Sequence, residues 1–434
     1  MKNKINKFDI YLKDNLDKIN KTEKCFKSNL PLSGDHYFNT YSSSIGNKKL
    51  KRIFFNIHIF HYYIRNVFSF FFIKEIEMSK KKIIANKILI SFASIDNFKV
   101  TKEFSWGKEI FSKHNEEYFP IKQKNIKKIL IYRDQNLIKK TDKNIIFFYQ
   151  IKKINIFNKL IYLKYILKHN SIKDFFCYIN AESYFAYYFF KIMNKNINLN
   201  KIKKVFISYE GQPFQKYFIS ELKKINKKCK VISYDHALDA FPINLLYNKN
   251  YSPDLLMVHS KDQFKSYNRH LNWPKKKLML IKSLRFSKKR AERLKSALIL
   301  PYDIDKNKAI EYTYIYEKFL TKINFRIAPL KILLHPQKKS DPSHIFFLKK
   351  LHDINKKSKR KFSIINSKKI NVIFGNSSSV IESLEFNSET YHIVIDREVE
   401  IYSNMFWPNI EKIYIDSNIY KYKKLKQNHS LVWK

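Results

Sequence analysis

The chain of 434 residues carries 85 Lys and Arg against 37 Asp and Glu, a formal charge of +48, and is 44% hydrophobic. That length fits about two domains of ordinary size, with ample apolar content for packed cores. Lysines are scattered from end to end, with no arginine-rich block, zinc-finger spacing or RNA-binding aromatic motif, so nucleic acid is not the expected partner. Scattered lysines suit an anionic membrane surface better, because that attraction needs no motif.

Residues 1–84 read as a lysine-rich extension. The opening Met-Lys-Asn-Lys-Ile-Asn-Lys lacks an apolar core, so no export signal is expected and the chemistry is placed in the cytoplasm, peripheral at the inner membrane face. A short helix is expected at Phe8–Ile19, and a longer aromatic one over Ile53–Ile73. His58, His61 and Arg65 argue against a membrane span there. The helix is expected to be buried, or to lie in the membrane interface between flanking lysines. Cys25, Cys177 and Cys229 are too few and too scattered for a disulfide framework or a zinc site.

From Lys87 onward short apolar runs alternate with helical stretches. Strands are expected at Lys87–Ile95, Ile129–Tyr132, Ile145–Tyr149, Val205–Ser208, Lys230–Tyr234 and Asp254–Val258. Helical stretches lie between them at Asn155–Met193, after Glu210 through Leu222, and near Lys261–Arg269. The same grammar resumes with strands at Ala297–Leu300, Lys331–Leu334, Val372–Phe374 and Tyr391–Ile395, and a helix at Ile310–Ile323. Strands separated by helices imply parallel sheets with crossover helices. The expected architecture is α/β, in two Rossmann-like domains at 85–290 and 291–434 whose parallel sheets face a central cleft.

Two junctions organise this pattern. Only five glycines occur, and two of them, Gly211 and Gly375, each follow a buried strand and precede a helix. Such a turn places polar groups at the carboxyl edge of a parallel sheet, where open α/β sheets bind ligands. At the second junction Asn376, Ser377, Ser378 and Ser379 open a helix, where unpaired N–H groups and hydroxyls suit a phosphate. Plain N-capping selects the same residues. Glu382 stands one turn beyond Ser378 and could hold ribose hydroxyls, or could simply be a solvated acid complementing the helix dipole.

At the first junction Glu210 is a candidate general base, with Asp235 and His236 at the end of the next strand as supports. His335 and Pro336 close another strand, and an imidazole there could assist a phosphate leaving group. Arg285 lies near the expected domain joint and could contact a charged donor. Asp303 and Asp305 match an Asp-x-Asp metal pattern but read as ordinary loop acids, so no metal is expected.

The order of three motifs, Tyr209-Glu210-Gly211, His335-Pro336 and Ser377-Ser378-Ser379, resembles bacterial sialyltransferases and polysialyltransferases of the GT-B type. Glu210-Gly-Gln-Pro213, His236 and Pro253-Asp254 are also similar to bacterial surface-carbohydrate (O-antigen) biosynthesis proteins. The resemblance covers about residues 85–400. It implies the GT-B fold, no cofactor and no metal, and a nucleotide-sugar donor, a CMP-linked nonulosonate among the candidates. It further implies inverting transfer to a glycan or lipid-linked acceptor in capsule or lipopolysaccharide synthesis. On it Glu210 is the base, His335 assists departure of the nucleotide phosphate, and Ser377 and Ser378 hold that phosphate. Tyr209 departs from the pattern by replacing its first acid. The Gly-Asn-Ser-Ser-Ser run is similar to the nucleotide site of UDP-N-acetylglucosamine 2-epimerases, so an epimerase is the alternative enzyme. A non-catalytic basic binding protein is the alternative outside enzymes.

Overall fold

A computed structural model gives the structure of the chain. It describes residues 63–432 with breaks at 80–81, 93–125, 133–144, 152, 170–174, 176, 236, 284–295, 302–303, 324–329, 335–340, 359–368, 396–399 and 427–429. The helix expected at Phe8–Ile19 lies outside the described residues, as do Cys25, Asp303, His236, Arg285, His335 and Pro336.

The first sheet holds β1 (Ile76–Met78), β2 (Lys87–Phe92), β3 (Lys127–Tyr132), β4 (Ile145–Gln150), β5 (Lys204–Ser208), β6 (Lys230–Tyr234), β7 (Leu255–Val258) and β8 (Leu278–Leu280). Their spatial order is β1-β4-β3-β2-β5-β6-β7-β8. Every pairing is parallel except that of β1 with β4. β1, read from sequence as part of the extension, thus forms an edge of this sheet. The second sheet holds β9 (Ala297–Ile299), β10 (Lys331–Leu333), β11 (Ile370–Phe374), β12 (Glu389–Ile393), β13 (Ile410–Asp416) and β14 (Ile419–Lys424), in the order β10-β9-β11-β12-β14-β13. Its first four strands are parallel, and β13 and β14 form an antiparallel hairpin beside β12. The molecule is therefore α/β with two parallel-dominated sheets, the architecture expected of a GT-B fold.

Among the parallel strands, β2–β8 and β9–β12, each order reverses direction once. In the first sheet the chain steps outward from β2 to β3 and β4, then returns to lay β5 on the other side of β2. In the second it steps from β9 to β10, then lays β11 on the other side of β9. The crevice beyond the carboxyl ends at such a reversal is where open α/β sheets bind ligands.

The helices follow from local sequence. Residues 63–72 form α1, inside the aromatic stretch expected to be helical. The long run expected from Asn155 resolves into α2 (Ile156–His169) and α3 (Ala181–Asn196). Asn180 caps α3, its side chain accepting from the Ser183 N–H at 2.8 Å. The buried face of α3 sets Phe189 against Phe214 and Phe218 of α4 (Pro213–Ile225), with ring centroids 5.2 and 6.0 Å apart. α5 (Lys261–His270) joins β7 to β8, α6 (Lys306–Lys322) joins β9 to β10, and α7 (Pro342–Ser358) joins β10 to β11. Asp305, half of the Asp-x-Asp pattern, caps α6 by accepting from the Lys308 N–H at 2.8 Å.

One apolar cluster spans both sheets, running from Ile88 and Val205 to Ile373, Tyr402, Trp407 and Val432. The joint is made by residues 400–410, which leave the second sheet and lie on the first unit. Trp407 Nε1 donates to the Asp239 carbonyl (3.0 Å), Ser266 Oγ to the Phe406 carbonyl (2.7 Å) and Asn409 Nδ2 to Asp262 Oδ1 (2.6 Å). The end of the chain adds a clasp: Ser260 Oγ donates to the Leu431 carbonyl, while Ser430 Oγ donates to Glu385 Oε2 in the second unit.

Candidate functional site

The carboxyl edge of the first sheet is built from the residues that follow each strand. After β5 come Tyr209, Glu210 and Gly211. Gly211 has φ +68°, and a Cβ there would sit 2.0 Å from the Asn244 carbonyl oxygen, so the turn admits only glycine. Gln215, fully buried in the first turn of α4, holds the turn in shape. Its Oε1 accepts from the N–H groups of Glu210 and Gln212, both at 3.0 Å, and its Nε2 donates to the Ser208 carbonyl at 2.6 Å. Gln212 Nε2 donates to Glu210 Oε2 at 2.7 Å and so orients that half-buried carboxylate. Ser208 Oγ meets Ser91 Oγ of β2 at 2.9 Å, which places Glu210 beside the point where the strand order reverses.

Asp235, at the end of β6, is fully buried. Its Oδ2 accepts from Tyr267 OH at 2.6 Å and Gln263 Nε2 at 3.1 Å, and its Oδ1 from the Ala237 N–H at 3.0 Å. Burial pushes its carboxyl well above the usual carboxylate range, and the negative charges of Asp239 and Glu210 push the same way. The Tyr267 and Ala237 donors pull in the opposite direction without prevailing. At the end of β7 the buried His259 sets its Nδ1 3.1 Å from Tyr234 OH and 2.8 Å from Ser283 Oγ. The edge thus carries Glu210, Asp235, His259 and Ser283 in strand order.

The second edge is built differently. Gly375 follows β11 with φ +65°, and a Cβ would fall 2.6 Å from Tyr312 OH and 3.1 Å from Pro301 Cβ. Its carbonyl accepts from His392 Nε2 at 2.8 Å. A carbonyl can only accept, so Nε2 carries the proton. Burial holds His392 well below its ordinary range, at about 4, which keeps the ring neutral.

Asn376 is exposed and Ser377, Ser378 and Ser379 are half-buried. Ser377 Oγ accepts from the Ser379 N–H at 3.3 Å, so part of the capping alternative is realised, whereas the Ser378 side chain makes no capping bond. The helix that follows, α8 (Ser379–Glu385), has only seven residues, so its macrodipole adds less at the turn than a full-length helix would. Glu382 is 3% exposed, which removes the reading of it as a solvated first-turn acid. Asn371 Nδ2 donates to Ser383 Oγ at 2.9 Å while its Oδ1 accepts from the Ala297 N–H at 3.0 Å, fixing α8 to β11 and β9.

The two edges meet at Tyr402. Its buried hydroxyl lies 2.7 Å from the Leu238 carbonyl, three residues past Asp235, and 2.9 Å from the Ser377 carbonyl. One proton is thus shared between the loop after β6 and the serine turn. The structure brings Glu210, Gly211, Gly375, Asn376, Ser377, Ser378 and Ser379 to the reversal points of their respective sheets. Gln215, His259, His392 and Tyr402 escaped the sequence reading. His259 carried a signal, since it directly follows an expected strand; Gln215 acts on its own turn but reads as an ordinary helix residue, and His392 and Tyr402 act through partners remote in the pattern. Among the described residues no group of three or more His, Cys, Asp or Glu side chains is placed to hold a metal ion, and no helix is long and apolar enough to cross a membrane.

No family model and no curated protein matches the sequence. Among solved structures, a glycosyltransferase from Rickettsia africae ESF-5 aligns over 74% of this chain and 88% of its own, at 10% identity and a TM-score of 0.29. That score is too low to bear on fold or function, so the architecture rests on the strand orders given above.

Proposed function

We propose that this chain is a GT-B glycosyltransferase that moves a sugar from a nucleotide donor to a hydroxyl of a glycan or lipid-linked acceptor, with inversion. The observation that carries the reading is that each glycine turn follows the strand at which its own sheet reverses order, and that one tyrosine hydroxyl joins the serine turn of the second sheet to the loop after β6 at the carboxyl edge of the first. Two ligand crevices sharing one joint suit a reaction with two substrates.

In this reading Glu210, oriented by Gln212, accepts the proton of the acceptor hydroxyl. The acceptor oxygen bonds to the anomeric carbon, and the nucleotide phosphate departs with the electrons of the old carbon–oxygen bond. Ser377, Ser378 and the backbone N–H groups of the turn receive the charge on that phosphate. Asn376, Ser379 and Glu382 line the nucleotide side, and His335, just beyond β10, assists the departure. Asp235 touches neither substrate; burial raises its carboxyl, which favours the protonated form and lessens the negative charge beside Glu210. The acceptor class carried by the resemblance is a bacterial surface polysaccharide or lipopolysaccharide.

A thermal-shift screen with CMP, UDP, GDP, CDP and TDP tests the donor side. A nucleotide at 100 times its dissociation constant adds about 2.7 kcal/mol, a readable shift. Stabilisation by CMP alone, lost in Ser378→Ala and kept in Glu210→Gln, supports a CMP-linked donor and separate roles for the two edges. Stabilisation by UDP together with epimerisation of the free nucleotide sugar moves the assignment to an epimerase. No response to any nucleotide overturns the proposal.

A further inference from the structure

We infer that α1 and α2 together form a docking face for an anionic lipid surface. This goes beyond the proposed reaction and does not depend on it. Each helix is apolar on two sides, and only one of them is used by the core. On α1, Phe70 is fully buried, 5.7 Å from the Tyr162 ring and 5.5 Å from the Tyr184 ring. On α2, Tyr162 and Ile166 form the inward stripe. The other sides stay in solvent: Phe68 is 60% exposed, Phe72 66%, Ile156 68% and Phe157 70%. Leu160 and Leu167 continue that outer stripe on α2. A solvated helix normally turns polar residues outward, so large apolar side chains grouped on two adjacent helices need a partner.

The helices are fixed side by side. Lys159 Nζ donates to the Phe71 carbonyl at the end of α1. Glu75, just beyond α1, is buried and accepts from Tyr184 OH at 2.6 Å and from Asn158 Nδ2 at 3.1 Å. The outer aromatics therefore sit on a rigid platform. Phe68 and Phe72 stack on one another with centroids 6.4 Å apart.

Charge identifies the partner. Neither helix contains an acidic residue, and Arg65, Lys74, Lys153, Lys164 and Lys168 are all exposed around the apolar side chains. Of the acids near these helices, Glu75 is buried and used as described, Glu77 accepts from Tyr149 OH at 3.3 Å, and Glu221 acts on Tyr165 of α2. Aromatic side chains that enter the headgroup boundary, ringed by cations that meet anionic headgroups, are what an interfacial helix requires. An apolar protein surface would leave those cations facing nothing, whereas an acidic bilayer engages both features.

The test is co-sedimentation of the full chain with phosphatidylcholine vesicles, with and without phosphatidylglycerol, across a salt series. The expected result is binding to the anionic vesicles that falls about tenfold or more in Phe68→Ser/Phe72→Ser/Phe157→Ser, a loss that persists at high salt. Lys356→Ser/Lys357→Ser, on α7, removes two positive charges remote from the face and is expected to leave binding nearly unchanged. Circular dichroism melting checks that each variant is folded. Binding that the three-serine variant retains, and that simply fades with salt, overturns the inference in favour of scattered charge. Failure of the full chain to bind either vesicle overturns it as well, with residues 1–62 or another protein then covering the face. So does light scattering that shows a dimer lost in the three-serine variant, which assigns the face to a second copy.

Discussion

The two sheet edges solve the same geometric problem with opposite chemistry. Each places a glycine with positive φ after the strand at which the sheet reverses. Around Gly211 the surroundings are acidic: Glu210 at the turn, with Asp235 and Asp239 close enough to raise one another's cost of ionising. Around Gly375 the accessible groups are neutral, three serines beside a histidine whose burial keeps it uncharged, while the carboxylate of Glu400 next to the turn is buried and engaged by Tyr312 OH and the Ile395 N–H. An edge crowded with carboxylates repels a phosphate and suits proton removal. An edge of hydroxyls and N–H groups suits an anion, and its carboxylates, Glu382 and Glu400, are buried away from the surface. The contrast divides the labour of a two-substrate reaction before any ligand is considered.

The sharpest way to break the comparison is at the glycines. Alanine at 211 meets a backbone carbonyl at 2.0 Å, which cannot rotate away, whereas alanine at 375 first meets the end of the Tyr312 side chain at 2.6 Å. Both pay about 1–2 kcal/mol for the left-handed backbone. Gly211→Ala adds a displacement of the 243–245 turn, for a total of about 3–5 kcal/mol. Gly375→Ala should cost clearly less, because Tyr312 can trade its 3.0 Å bond to Glu400 for a small shift. Urea midpoints of the two variants check the order; equal losses would mean that the two turns are equally tight.

The pH dependence sharpens the chemical half of the contrast, because the two edges have opposite signs. His392 falls from its ordinary 6.5 to about 4 on folding, so the unfolded chain takes up the proton first. Its share of stability is fully present above about pH 6.5 and is lost as pH falls towards 4, on the order of 3 kcal/mol in all. His392→Gln keeps a donor for the Gly375 carbonyl and should flatten that stretch of the stability curve. Asp235 behaves in reverse. Its carboxyl is raised in the fold, so between the unfolded value of about 3.9 and the folded one the native state holds the extra proton. Stability there falls as pH rises, and Asp235→Asn should remove the slope. Urea unfolding from pH 4 to 8 reads both; identical slopes in wild type and variants would remove these residues from the account.

Much of this frame was legible in the sequence. Strand–turn–helix junctions announce themselves through short β-branched runs stopped by glycine, and a chain with five glycines makes each one informative. The bounds of β6 came out to the residue, because Val231, Ile232 and Tyr234 stand between a lysine-rich stretch and Asp235. The β13–β14 hairpin did not, because its alternation is written in lysine and tyrosine: Tyr420 and Tyr422 point inward while the intervening lysines hide the pattern. Within the site, Glu210, Gly375 and the serines were visible because they adjoin strands. Gln215 was hidden because a glutamine inside a helix looks like a solvated residue, and only the folded turn shows it gripping three backbone groups. The burial of Glu382 was equally hidden, since the helical pattern places it correctly but the packing of so short a helix is a tertiary matter.

Tyr402 was the least legible residue and carries the smallest of the expected effects. No local pattern marks a tyrosine that contacts Leu238 and Ser377, 164 and 25 positions away. Tyr402→Phe keeps the ring, which packs at 5.8 Å from Trp407 and 5.9 Å from Tyr422, and removes only the shared proton. Two buried carbonyls then lose one donor between them, a cost of about 1–2 kcal/mol. If the hydroxyl serves packing alone, the urea midpoint drops and any nucleotide-induced stabilisation stays as large as in wild type. If it holds the serine turn in register with the acidic edge, the nucleotide shift shrinks as well, although the residue touches no phosphate. The second outcome is the one expected here, because the same proton is shared between the loop after β6 and the serine turn, and one of the carbonyls it reaches belongs to Ser377.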